Sequence, residues 1–77
     1  MFQDFEFKGS NQSIIIFNKK KEKILEINKG VLSLNDVTII VDKPDKWSED
    51  HSDLIIPCDG PTGKTEIRIN QKGEIAF

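Results

Sequence analysis

The chain has 77 residues, a net charge of −2 and 36% hydrophobic residues, which makes it one domain that buries only roughly 60% of the surface its unfolded form exposes. Its single cysteine excludes an internal disulfide and its single histidine leaves too few ligands for a structural zinc, so self-association is the remaining support for a fold this small. Acids and bases are interspersed, which argues against capture of nucleic acid, and the longest apolar run, Ile14 to Phe17, is far short of the roughly 20 residues that cross a bilayer.

Taken in chain order, the apolar residues fall into short Ile/Val/Phe-rich runs, and no long stretch carries a helical period. Phe5 and Phe7 alternate with Asp4, Glu6 and Lys8, which predicts a half-buried strand closed by Gly9-Ser10-Asn11. In Ser13-Ile14-Ile15-Ile16-Phe17 both faces are apolar, so this run reads as a central strand covered on two sides. Asn18 to Lys23 is a solvated connection to Ile24-Leu25-Glu26-Ile27, and Asn28-Lys29-Gly30 offers a residue free to take positive φ before the next strand. Val31 to Leu34 and Val37 to Val41 are split by Asn35-Asp36, a tight turn or a bulge in one long strand. Asp42 to Asp53 is the one long polar connection, and Pro44 should break the sheet there. Leu54 to Ile56, a turn over Pro57 to Lys64, Thr65 to Asn70, a second turn at Asn70-Gln71-Lys72-Gly73 and a closing strand Glu74 to Phe77 complete the chain. In this last hairpin Thr65, Ile67 and Ile69 share one face and Glu66, Arg68 and Asn70 the other.

The fold class is therefore all-β: a small antiparallel meander or barrel of about five to seven short strands in a single domain, residues 1–77. Its core is expected at Phe5, Phe7, Ile14, Ile16, Ile27, Leu34, Val37, Ile39, Val41, Leu54, Ile56, Ile67, Ile69 and Ile75.

No chemical motif assembles. Cys58-Asp59-Gly60-Pro61-Thr62-Gly63-Lys64-Thr65 ends like a phosphate-binding loop, but the first glycine of that motif is a cysteine here and a strand pattern follows where its helix should start. His51 lies among Asp45, Glu49, Asp50 and Asp53 without a second imidazole or thiolate, so no metal ligand set is expected. Cys58 with His51 lacks a third group and an oxyanion hole, and a lone cysteine usually packs as a small hydrophobe. The chain reads as no enzyme, with no catalytic residue and no cofactor. Lys19-Lys20-Lys21-Glu22-Lys23 is a short basic run at a hairpin turn, a place that must be solvated in any case. Trp47 is the only tryptophan and sits in the long polar loop, either as a lid folded over the core or as an interface anchor. The binding surface expected from the sequence is that loop: Trp47, Asp45, Lys46, Glu49, Asp50 and His51.

From about Val31 onward the chain carries a strand, a turn with Pro44 and Trp47, a short strand ending in proline at Leu54-Ile55-Ile56-Pro57, and the hairpin Gly63 to Ile75. In these features, over a little more than half its length, it resembles the β-rich head domains of phage tail-fibre and baseplate receptor-binding proteins. The resemblance implies a phage origin and, for a tail part, a trimer. None of the family's carbohydrate-contacting residues maps onto a matching motif here. Many Ile, Lys and Asn with a single alanine, Ala76, also suit the AT-rich codons of a low-GC bacterium or its viruses.

Together these readings predict a non-catalytic protein-binding accessory or inhibitory protein of phage or mobile-element origin, acting on a host or phage protein. A homo-oligomeric tail-tip or fibre component and a single-strand nucleic-acid-binding OB-like module are the alternatives. The lone Cys58 and the lack of an apolar leader after Met1 predict a cytoplasmic protein, or a virion one if it is a tail part.

Overall fold

The computed structural model describes residues 2–10, 12–34, 36–60 and 63–76. Nine strands form among them: β1 (Glu6–Ser10), β2 (Ser13–Phe17), β3 (Lys23–Asn28), β4 (Val31–Leu34), β5 (Val37–Val41), β6 (Ser48–Asp50), β7 (Asp53–Gly60), β8 (Gly63–Ile69) and β9 (Ile75–Ala76), with one 3-10 turn at Pro44–Lys46. All belong to one antiparallel sheet in the order β1-β2-β3-β4-β5-β7-β8-β9, and β6 pairs with β7 beside that path. Apart from the step from β5 to β6, each strand thus pairs with its neighbour in sequence, a meander, whereas an OB barrel is a Greek key.

Period-two alternation decides which side chains are inside. The register pairs Phe7 with Ile16, Ile14 with Ile27, Leu32 with Ile39, Val41 with Cys58, Leu54 with Ile69 and Ile56 with Ile67, and these residues line one continuous inner face. Ile16, Ile27, Ile39, Leu54, Ile56, Ile67 and Ile69 are fully buried there, joined by Phe5, Leu32, Val41, Trp47 and Cys58. Sheet curvature lets one apolar face close on itself, and the radius of gyration is 11.5 Å, that of a compact chain of this length.

The expected core residues are all in this cluster or packed against it, with Leu32, Trp47 and Cys58 added to its centre. Several boundaries differ from expectation. Asp42 to Asp53 is not one loop: after the 3-10 turn, Ser48–Asp50 pairs with Asp53, Leu54 and Ile55 as a hairpin closed by His51 and Ser52. Both of these have positive φ, 51° and 64°, the signature of the type I′ turn that matches strand twist.

Pro57 does not end its strand either, since β7 runs through it to Gly60. The Pro57 carbonyl accepts from Asp42 N–H at 2.9 Å, so that side of the residue faces the short gap between the β5 and β6 pairings, where a missing N–H removes no ladder bond. Leu34 pairs with Val37, so β4 and β5 form a hairpin, not a bulged single strand; Asn35 lies outside the described residues. Thr65 keeps the inner register opposite Cys58 but is exposed. The outer face of β2 has no second layer. Phe17 is half-buried under the Lys8 ammonium, 5.3 Å from the ring centre, and Ile15 lies between Lys8 and Glu26, so long polar side chains supply its cover.

Gly9 is required where it stands. Its φ is 125°, and a Cβ there would lie 1.9 Å from the carbonyl oxygen of Ser13 across the β1–β2 hairpin, an approach that only glycine permits.

Candidate functional site

The residues expected to form one binding loop separate into three environments. Trp47 belongs to the core at 6% exposure. Its backbone N–H closes the 3-10 turn on Pro44 O at 3.1 Å, and its indole Nε1 donates to Asp42 O at 2.8 Å. Phe7 meets the indole edge-on at 5.1 Å, and Phe2 meets Phe7 likewise at 4.7 Å, the arrangement that ring quadrupoles favour. The tryptophan therefore lids the end of the inner face, with its one polar atom satisfied. Asp45 and Lys46 stand exposed on the 3-10 turn beside it. Glu49 pairs with Leu54 on β7 and turns its carboxylate to the N-terminal segment, where Oε1 accepts from Asp4 N–H at 3.1 Å.

Asp50 and His51 form the tip of the β6–β7 hairpin. His51 Nδ1 lies 2.9 Å from Asp50 Oδ1, and the imidazole side chain is 89% exposed. On the other side of Asp50, Arg68 of β8 donates through Nη2 to Oδ2, while its Nε reaches Asp53 Oδ2 at 3.3 Å. One guanidinium thus straddles the two carboxylates that bracket the turn. The hydrogen bond from His51, with Arg68 adding to it, holds the Asp50 carboxyl below its ordinary value. The sequence places Asp53 beside His51 without counting it in the binding surface, and gives no sign of Arg68 in this cluster. The outward register of Arg68, opposite Ile55, becomes informative only once β6 is recognised as a strand.

A second cluster occupies the pole where the β2–β3 and β8–β9 turns meet. Asn18-Lys19-Lys20-Lys21-Glu22 and Asn70-Gln71-Lys72-Gly73-Glu74 are the same turn twice. In each, the asparagine Oδ1 accepts from the backbone N–H two and four residues on, Lys20 and Glu22 in one, Lys72 and Glu74 in the other. Its Nδ2 donates to the glutamate Oε1, and the fourth residue, with φ 65° at Lys21 and 83° at Gly73, donates to the asparagine carbonyl. Gln71 ties the copies together: its Oε1 accepts from Lys19 N–H, and its Nε2 donates to the carbonyls of Asp4 and Ser52. Asn18, 5% exposed, completes the junction by donating to Gln71 O at 2.7 Å. The open cleft between the turns is lined by Lys19, Lys20, Lys23 and Lys72, with Glu22 the one acidic side chain among them, above Ile24.

Among the described residues no group of three or more His, Cys, Asp or Glu is placed to hold a metal ion, and no helix is long and apolar enough to cross a membrane. Cys58 is buried, and desolvation, with Asp42, Asp59 and Glu66 nearby, pushes its thiol above the ordinary value; a protonated, covered sulfur is a poor nucleophile. The polar clusters on the surface are thus a hairpin tip with one histidine and an Arg–Asp cluster, and a lysine-lined pole. No protein-family model, no curated protein and no solved structure matches the chain.

Proposed function

We propose that the chain is a non-catalytic binding module that acts on a protein partner, as an accessory or inhibitory protein of phage or mobile-element origin. The β6–β7 turn is the observation that carries this reading. His51 and Ser52 both occupy the left-handed region, where Asn-Gly is the inexpensive choice and each other residue costs about 1–2 kcal/mol. In a domain whose whole stability is about 5–15 kcal/mol, two adjacent strained residues call for a reason, and presentation of their side chains supplies one. Arg68 and Asp53 brace the turn from below, so the backbone that carries the exposed imidazole is held in place, which lowers the ordering cost of an interface.

The test replaces His51→Asn together with Ser52→Gly and compares the variant with the wild type as bait in host lysate. The variant should melt higher and lose the protein that the wild type captures. A variant that captures the same protein equally well removes the turn from the interface.

A homo-oligomeric tail-tip component is the second reading, supported by Ile40, which is 57% exposed on the outer face where it pairs with Val31. Light scattering separates the two: a stable trimer favours the tail part, a monomer or dimer the accessory protein. A single-strand-binding barrel has less behind it, because the aromatic nearest the lysine run, Phe17, is already covered by Lys8.

A further inference from the structure

We propose that the cleft between the two Asn-headed turns is a binding site for an oligophosphate anion, gripped by Lys20 and Lys72 from its two walls. Five of the eleven basic side chains, Lys19, Lys20, Lys21, Lys23 and Lys72, gather at this pole of a chain that is acidic overall. Each carboxylate beside them has a partner, which for two of them is one of these lysines, so the basic side chains without an ion pair at this pole are Lys20, Lys21 and Lys72 among the described residues. Glu22 and Glu74 accept from the asparagines of their own turns, Glu26 from Lys23 and Ser13, and Asp4 pairs with Lys19. Lys20 and Lys72 make no ion pair among the described residues.

These two lysines are equivalent. Each is the third residue of its turn, and each is fixed at its backbone by a 3.0 Å bond to the asparagine Oδ1. The turns cannot drift apart, because Asn18 and Gln71 bond across them. The result is two unpaired lysines rooted at fixed backbone positions, one in each turn beside the cleft, so an anion that reaches both pays for ordering the side chains alone and not the turns.

The cleft is open to solvent and, at about 540 Å³, has room for more than one phosphate. Ammonium groups act on compact phosphate oxygens as point charges, without the fork by which arginine selects planar carboxylates. No aromatic side chain lines the cleft, so the stacking platform that single-stranded nucleic acid uses is missing. The ligand class that fits is a small anion with two or more linked phosphates.

Isothermal titration with sodium tripolyphosphate at low salt tests this. The proteins are the wild type, the double variant Lys20→Gln with Lys72→Gln, and the remote double variant Lys43→Gln with Lys46→Gln, each first shown to melt like the wild type. Saturable binding that weakens about tenfold for each cleft lysine removed and is unchanged in the remote variant supports the site. No saturable binding, or equal weakening in both variants, overturns it. Inorganic phosphate binding as tightly as tripolyphosphate would overturn the two-walled grip, and an oligothymidylate binding more tightly through the same lysines would replace the small anion with a nucleic-acid strand.

Discussion

Asn18 Nδ2 donates to the carbonyl of Gln71 at 2.7 Å, and through that bond the β2–β3 hairpin of the meander holds the β8–β9 one. No ladder joins β1 to β9 among the described residues, so the curled sheet is closed at this pole by side chains. Asn18 is also the one buried polar residue of the described chain, and its amide is satisfied on both atoms.

Asn18→Ala should therefore cost more than the same change at Asn70. It leaves the Gln71 carbonyl and the Lys20 and Glu22 N–H groups without their partner, and each buried orphan costs about 1–3 kcal/mol, less where water reaches it. A loss of about 2–4 kcal/mol is expected, against about 1 kcal/mol less at Asn70, whose side chain bonds only within its own turn. Urea denaturation measures both midpoints. Equal losses would mean that the cross-turn bond contributes nothing beyond the turn itself.

The paired turns also predict a stabilising change. Lys21 holds φ 65° where its counterpart Gly73 holds 83°, and the left-handed region costs a side-chain-bearing residue about 1–2 kcal/mol that glycine avoids. Glycine loses more chain entropy on folding, which offsets about half of this. Lys21→Gly should still raise stability by about 0.5–1 kcal/mol, a few degrees in Tm for a domain this size. The reverse change, Gly73→Ala, meets Ile24 O at 3.0 Å as well as the strained φ, and should lower it. If both variants melted below the wild type, the two turns would not be equivalent in energy.

Most of the inner face was legible because period two is a strong signal where one face is dry: Ile16, Ile39, Ile56, Ile67 and Ile69 all sit where alternation puts them. The failures came where short-range composition and tertiary context conflict. Ser48-Glu49-Asp50 is polar at every position and forms a strand only because β7 offers an open edge beside it. Pro57 reads as a stop, yet its missing N–H faces a gap in pairing. The repeated turn, Asn-x-Lys-x-Glu, was present in the letters, but five residues with three matches carry no statistical weight until the hydrogen bonds show them to be one motif. Arg68 illustrates the limit for the site: its outward position was predicted, while its partners Asp50 and Asp53 depend on a hairpin whose turn residues, His51 and Ser52, are not the usual ones.

Trp47 separates a lid from an anchor by its response to truncation. The indole is buried against Phe7 and bonded to Asp42 O, so Trp47→Phe keeps most of the packing and loses one hydrogen bond, about 1–2 kcal/mol. Trp47→Ala removes the ring from the core and should cost about 3–5 kcal/mol. Near-ultraviolet dichroism and thermal melts read the outcome. An alanine variant as stable as the wild type would return Trp47 to the surface.

Cys58 sets the alkaline limit. Burial, and then the charges of Asp42, Asp59 and Glu66, raise the folded-state pKa above the ordinary 9.0. The unfolded chain releases this proton first as pH rises, so the thiol's contribution is complete below pH 9.0 and is lost as pH climbs through the folded value. Cys58→Ala removes the titration but leaves a small void at a fully packed site, which costs about 1 kcal/mol at neutral pH. The stability gap between wild type and variant should therefore narrow steadily above pH 9.0, because whatever is common to both proteins cancels in the difference. In the same range a thiol reagent should label the native protein only as fast as the fold opens. A gap that stays constant across the alkaline limb, or labelling at the rate of a free thiol at neutral pH, would place the sulfur in contact with water and remove it from the inner face of β7.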